Sequence, residues 1–165
     1  MKPLLGTHPR KDLTARDSIP KQAPAFALFE KDLLTDLIPF VEKTYPVKDD
    51  RESRAIAGLS MGGGQSLNFG LGNLETFAWL GGFSSAPNTK PPADLVKDPA
   101  EAATNLRLLY VACGDQDGLL RISEGVHAML DEKQLPHVWR IIPDGGHDFR
   151  AWKSDLYHFA QLLFR

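Results

Sequence analysis

A single cysteine, Cys113, occurs among the 165 residues, so no intrachain disulfide can form and the redox compartment stays open. Long apolar runs are missing as well. Nothing approaches the roughly 20 consecutive apolar residues of a membrane-spanning helix, and the apolar stretch after Met1 is too short for a signal peptide. Charge of one sign is scarce. The formal net charge of -2 offers no electrostatic footprint for nucleic acid or an anionic membrane. The histidines and the lone cysteine show no metal-ligand spacing, so neither a structural zinc nor any other cofactor is expected. What remains is the composition of an ordinary globular protein, 42% hydrophobic and 24% charged, at a one-domain length that can bury a core.

Along the chain, residues 1–25 are polar, proline-interrupted and without period, and read as irregular. From Phe26, apolar residues at 29, 33, 34, 37, 38 and 41 recur at helical spacing, with Pro39 expected to kink the helix or mark a boundary. The run from Arg54 to Leu59 reads as a buried strand, and residues 62–71 as a short helix. A strand over 77–83 follows, then a long loop over 84–105 punctuated by four prolines, with room for one helical turn. Residues 106–113 are the clearest strand, 119–134 an amphipathic helix, 138–142 a further strand and 152–164 a closing helix. Strand and helix alternating in this way imply right-handed crossovers and a parallel sheet of about four strands, covered by helices on both faces. With no repeat and no internal linker, 1–165 reads as one domain.

Gly58-Leu59-Ser60-Met61-Gly62 is a G-x-S-x-G pentapeptide. Its context gives it weight: an apolar strand directly before it and a helix directly after, the setting of a nucleophile elbow. Side chains at the flanking glycines would clash in so sharp a turn. Ser60 would then sit strained at the strand's carboxyl end, with the N–H of Met61 at a helix N-terminus, where the dipole favours a developing oxyanion.

A hydroxyl needs a base, and the base an orienting acid. The chain order serine, acid, histidine is available here. The strand ending at Cys113 is followed by Gly114-Asp115-Gln116-Asp117, and the strand ending at Ile142 by Pro143-Asp144-Gly145-Gly146-His147-Asp148. Both loops lie at carboxyl ends of parallel strands, where sites of open α/β sheets form. His147 is the base, because His8, His127, His137 and His158 fall in irregular, helical or strand positions and read as surface or packing residues. Asp115 and Asp117 both fit the acid. Asp117 is favoured because it lies further from the strand end and can fold back, leaving Asp115 to bind loop amides. Asp148, next to His147, is poorly placed to grip it and reads as a solvent or turn residue. Cys113 ends a buried strand without an adjacent base and reads as inert.

These residues resemble carbohydrate esterase family 1, the feruloyl and acetyl xylan esterases, within the esterase D-like α/β-hydrolase superfamily. The similarity lies in Arg54 to Ser66, in Ser85-Ala86-Pro87-Asn88, in Ala112-Cys113-Gly114 with Asp117, and in Gly145 to Phe149 followed by Trp152-Lys153. It implies Ser60 as nucleophile, His147 as base, Asp117 as acid, and Trp152 near the pocket for an aromatic acyl group. It also implies a feruloylated or acetylated oligosaccharide, or another small ester, as substrate. Members of the family carry further strands before this region, and a loop there donates a second oxyanion N–H. The chain therefore reads as the C-terminal part of an α/β-hydrolase fold with its N-terminal strands missing. The expectation is an isolated chain with impaired turnover, prone to self-association through an exposed sheet edge. A catalytically inert binding module is the competing reading. Relatives are often secreted, but the sequence itself names no compartment.

Overall fold

The structure, a computed structural model, describes residues 25, 26 and 28–165; the stretch read as irregular lies, up to residue 24, outside them. Four parallel strands form one sheet in the order β1 (Ala55–Leu59), β2 (Trp79–Phe83), β3 (Leu108–Gly114), β4 (Val138–Ile142). The helices that accompany them include α1 (Ile38–Thr44), α2 (Met61–Gly72), α3 (Pro92–Leu95), α4 (Pro99–Asn105), α5 (Leu120–Glu132) and α6 (Phe149–Ala160), and residues 28–32 are helical as well. Among the described residues, no helix is long and apolar enough to cross a membrane.

Strand residues alternate between two cores. Leu109 and Val111 of β3, with Leu80 of β2, meet Leu67 of α2 and Val126 of α5 on one face. Tyr110 and Ala112 turn to the other face, against Phe159 and Ala151 of α6. There the rings of Phe83, Tyr110 and Phe159 meet edge-to-face at 5.6 to 5.8 Å, the favoured arrangement for aromatic quadrupoles. Burial on both faces explains why β2 and β3 read as continuous apolar runs rather than alternating ones.

Four details differ from the sequence reading. First, β1 is a half-exposed edge strand rather than a buried one: Leu59 is 38% exposed, because only β2 pairs with β1 among the described residues. Second, the stretch read as a long loop contains α3 and α4. Their prolines, Pro92 and Pro99, occupy first helical positions, where the missing N–H costs nothing, and Asp98 caps α4 by accepting from the N–H of Ala100 and Glu101. Third, α6 starts at Phe149, three residues early, since Asp148 is its N-cap and accepts from Arg150 and Ala151. Fourth, β2 begins at Trp79 rather than at residue 77, and β3 runs over Leu108–Gly114 rather than 106–113. Near Pro39 the expected boundary takes the form of a π turn, Leu33–Leu37, in which the Ile38 N–H reaches back to Leu33. Pro39, having no N–H to give, follows directly.

Asp155 of α6 is fully buried. One carboxylate oxygen accepts from Arg140 Nη1 at 2.8 Å, and the other has no partner. Burial pushes this carboxyl up to about 6, against the pull of Arg140. The folded chain thus holds the proton more tightly than the unfolded chain, whose carboxyl titrates near 3.8. Stability from this group is complete below the unfolded value and is lost as pH rises through about 6. Relative to wild type, Asp155→Asn should therefore gain several degrees of Tm between about pH 4 and pH 6.5. Thermal melts across that range check it; a difference independent of pH would contradict the burial argument.

Candidate active site

Ser60 joins β1 to α2 with φ 55° and ψ -120°, a conformation that costs a non-glycine residue about 1–3 kcal/mol. Two backbone hydrogen bonds hold it there. Its N–H donates to Phe83 O at 2.9 Å, and its carbonyl accepts from Ala86 N–H at 2.9 Å. At a net 0.5–1.5 kcal/mol or so apiece, they are of the size needed to offset the strain. The turn also requires a close backbone approach: a Cβ at Gly58 would lie 2.4 Å from the backbone of Gly62. The steric need expected at both flanking glycines holds only for Gly58, because a Cβ at Gly62 would meet nothing within 4 Å. Met61 is the first residue of α2, so its N–H has no intrahelical acceptor and points from the positive end of the helix dipole.

The loops after β3 and β4 are stitched to each other. Asp115 N–H donates to Ile142 O at 3.1 Å and Gln116 N–H to Gly145 O at 2.9 Å. A Cβ at Gly114 would stand 2.0 Å from the Gly145 carbonyl oxygen, so only glycine allows this contact. The contact brings Asp117 and His147 together. His147 Nδ1 lies 2.9 Å from Asp117 Oδ2, and His147 Nε2 lies 3.0 Å from Ser60 Oγ. Since an ionised carboxylate can only accept, Nδ1 carries the hydrogen and Nε2 is free to accept from the serine hydroxyl.

Asp117 is buried, and burial by itself would raise its pKa. Hydrogen bonds from Leu119 N–H and from His147 oppose that, and the carboxyl is held below its ordinary value. The amide-binding role expected of Asp115 falls to Asp117 instead: its Oδ1 accepts from Leu119 N–H at 2.8 Å, whereas the Asp115 side chain is exposed. Cys113 is fully buried, and burial pushes its thiol up to about 11, which removes it as a nucleophile. Asp148 caps α6 and does not touch His147.

Trp152 stands edge-on to the His147 ring, with centroids 4.9 Å apart. It lines an apolar groove of about 240 Å³ with Leu59, Phe83, Phe149, Lys153 and Leu156. Of the other histidines, His8 lies outside the described residues and His158 is on α6, while His127 and His137 lie 2.8 Å apart. That pairing was not signalled by their spacing. The sequence reading also missed Ser84. It is buried just past β2, has φ 47°, and its hydroxyl accepts from the buried Cys113 thiol at 3.8 Å. The available signal was its place, one residue beyond a strand end on the edge that carries Ser60.

The Esterase family model matches residues 7–161 of this chain. The endo-1,4-beta-xylanase/feruloyl esterase of Xylanibacter ruminicola is 33% identical over 137 residues, which is 83% of this chain and 18% of that protein. Among solved structures, the CE1 ferulic acid esterase of Anaeromyces mucronatus in complex with ferulic acid superposes with a TM-score of 0.75 at 24% identity. That alignment covers 88% of this chain and 57% of the other. A further ferulic acid esterase gives a TM-score of 0.72 at 28% identity, over 82% of this chain and 61% of its own. The chain thus spans only part of each relative's length, about a fifth of the first and about three-fifths of the solved structures. Sheet order, strand-end loops and the matched span agree: the chain belongs to the Esterase family and carries part of an α/β-hydrolase fold.

Proposed function

We propose that this chain is a serine carboxylic-ester hydrolase that releases feruloyl groups from plant cell-wall polysaccharide. The observation that carries the reading is the relay from Asp117 through His147 to Ser60, at 2.9 and 3.0 Å, with the serine held on a strained turn. Ser60 Oγ attacks the ester carbonyl while His147 Nε2 takes its proton, and the carbonyl oxygen becomes an oxyanion facing the Met61 N–H. His147 then gives the proton to the leaving alcohol, and an acyl-enzyme remains on Ser60. Water, deprotonated by His147, attacks that ester and regenerates the serine. Asp117, ionised throughout, keeps the imidazole in the tautomer that can accept from serine.

The choice of acyl group rests on the groove beside the relay. Phe149 and Trp152 offer flat apolar walls that suit an aromatic ring, and an acetyl group would leave the groove empty. Two relatives are named for ferulic acid esters, and one of the solved structures holds ferulic acid.

A fluorophosphonate probe should label Ser60 in the folded wild type and fail on Ser60→Ala. On His147→Ala, labelling should be slower by about 10⁴-fold or more. Folded protein that takes no label at all would favour an inert binding module. Trp152→Leu should lower kcat/KM for a feruloyl ester about tenfold while leaving an acetyl ester within about twofold, as the loss of one aromatic contact implies. Equal losses on both esters would remove Trp152 from the acyl site. Gly114→Ala, which pushes the two loops apart, should lower turnover by about 10²-fold with the far-UV circular dichroism retained. Unchanged turnover would show that the loop contact is dispensable.

A further inference from the structure

His127, Asp131 and His137 meet on the far side of the sheet from Ser60, where α5 ends and β4 begins. His127 and Asp131 stand one turn apart on α5, with His127 Nε2 at 3.5 Å from Asp131 Oδ2. His137 returns from the turn after α5 and sets its Nε2 2.8 Å from His127 Nδ1 and 3.8 Å from Asp131 Oδ1. One potential ligand atom from each residue lies within 4.8 Å of the others.

Two features point to a cation among these atoms. His137 Nδ1 lies 2.8 Å from Leu135 O, an oxygen that can only accept, so Nδ1 carries the hydrogen and Nε2 presents a bare lone pair to the cluster. A ring nitrogen tied to a backbone carbonyl while the other stays free is the usual orientation of a metal-binding histidine. Next, the Trp139 ring stacks on His127 at 4.7 Å and 12°, fixing the plane of the second imidazole.

We propose that His127, Asp131 and His137 form a structural divalent-metal site of the zinc class, completed by water, that ties the end of α5 to the start of β4. Two imidazoles and one carboxylate are a borderline ligand set that suits Zn²⁺. Ligands at about 2.0–2.1 Å in a tetrahedron stand about 3.3 Å apart, so the His127–His137 pair would open by about half an ångström. With His127 Nδ1 and His137 Nε2 as the nitrogen ligands, the contact from His137 Nε2 to Asp131 Oδ1 would close from 3.8 Å by about as much. His137 is nearly buried and Asp131 mostly exposed, which leaves an entry path through the carboxylate side. The sequence pattern is His-x3-Asp-x5-His without cysteine, and so it escapes a search for Cys/His clusters. It replaces the expectation that no metal binds.

The test is a calorimetric titration of the EDTA-treated full chain with ZnCl2, paired with Co²⁺ absorption spectra and thermal melts. One equivalent of Zn²⁺ should bind, Co²⁺ should give the intense visible bands of four-coordination, and Tm should rise by several degrees. His127→Gln, at a half-buried position of α5, and Asp131→Asn, at an exposed one, should keep the fold by circular dichroism, while weakening Zn²⁺ binding by at least about tenfold. His147→Ala, which removes the imidazole beside Ser60, should leave the binding unchanged. Absence of saturable binding, or binding that survives His127→Gln, would overturn the proposal. So would loss of binding in His147→Ala, which would move the metal to the Ser60 site. None of these readouts depends on ester hydrolysis, so the outcome is independent of the proposed activity.

Discussion

The site depends on how closely two backbones can approach. Gly114 at the end of β3 lies against Gly145 in the loop after β4, leaving no room for a Cβ, and two inter-loop hydrogen bonds lock that contact. Asp117 and His147 each lie only a few residues beyond it, so their relative position follows from the stitched loops rather than from long flexible side chains. An ångström of separation there would break a 2.9 Å hydrogen bond and lose the tautomer that frees Nε2. The register of four parallel strands then brings this pair to the edge where Ser60 emerges.

The serine presents the complementary constraint. Its left-handed backbone is unfavourable alone, and neighbours beyond its own strand hold it: Phe83 at the end of β2 and Ala86 in the following loop. Ser84 lies between them, buried at the same strand end against Cys113 of β3. Burial works against the ionised Asp117, and several donors are needed to reverse its effect. At Asp155 only Arg140 contributes, and there burial prevails. Asp117 has more donors than Asp155 and is less deeply buried.

At the opposite edge of the sheet, α5 and β4 meet at the cluster of His127, Asp131 and His137. α5 starts just after Asp117 and ends at this cluster, so it links the acid loop to the far side of the molecule. The strand ends where Ser60 and His147 emerge and those where His137 sits are thus tied to one another by the covering helix and sheet alone, with no shared side chain.

Local chemistry carried much of this in the linear chain. Period-two and period-3.6 apolar patterns set the β4 boundaries to the residue and found α2 and α5, because burial selects apolar side chains at the positions that face a core. The pentapeptide around Ser60 and the glycine-flanked His147 were legible because sharp turns demand particular residues. Asp117 could be preferred over Asp115 by reach alone. Other features required coordinates. A proline can end a loop or start a helix, and only the Asp98 side chain on the amides of α4 decided the latter. Gly62 looks as necessary as Gly58 in the motif, yet the space around its Cβ position is open. Ser84 and the pairing of His127 with His137 join residues far apart or on different elements, and a one-dimensional pattern holds no distance between them. The sequence determined which residues could serve; three-dimensional packing decided which of them meet, because side-chain contact depends on where separate strands and helices come to rest.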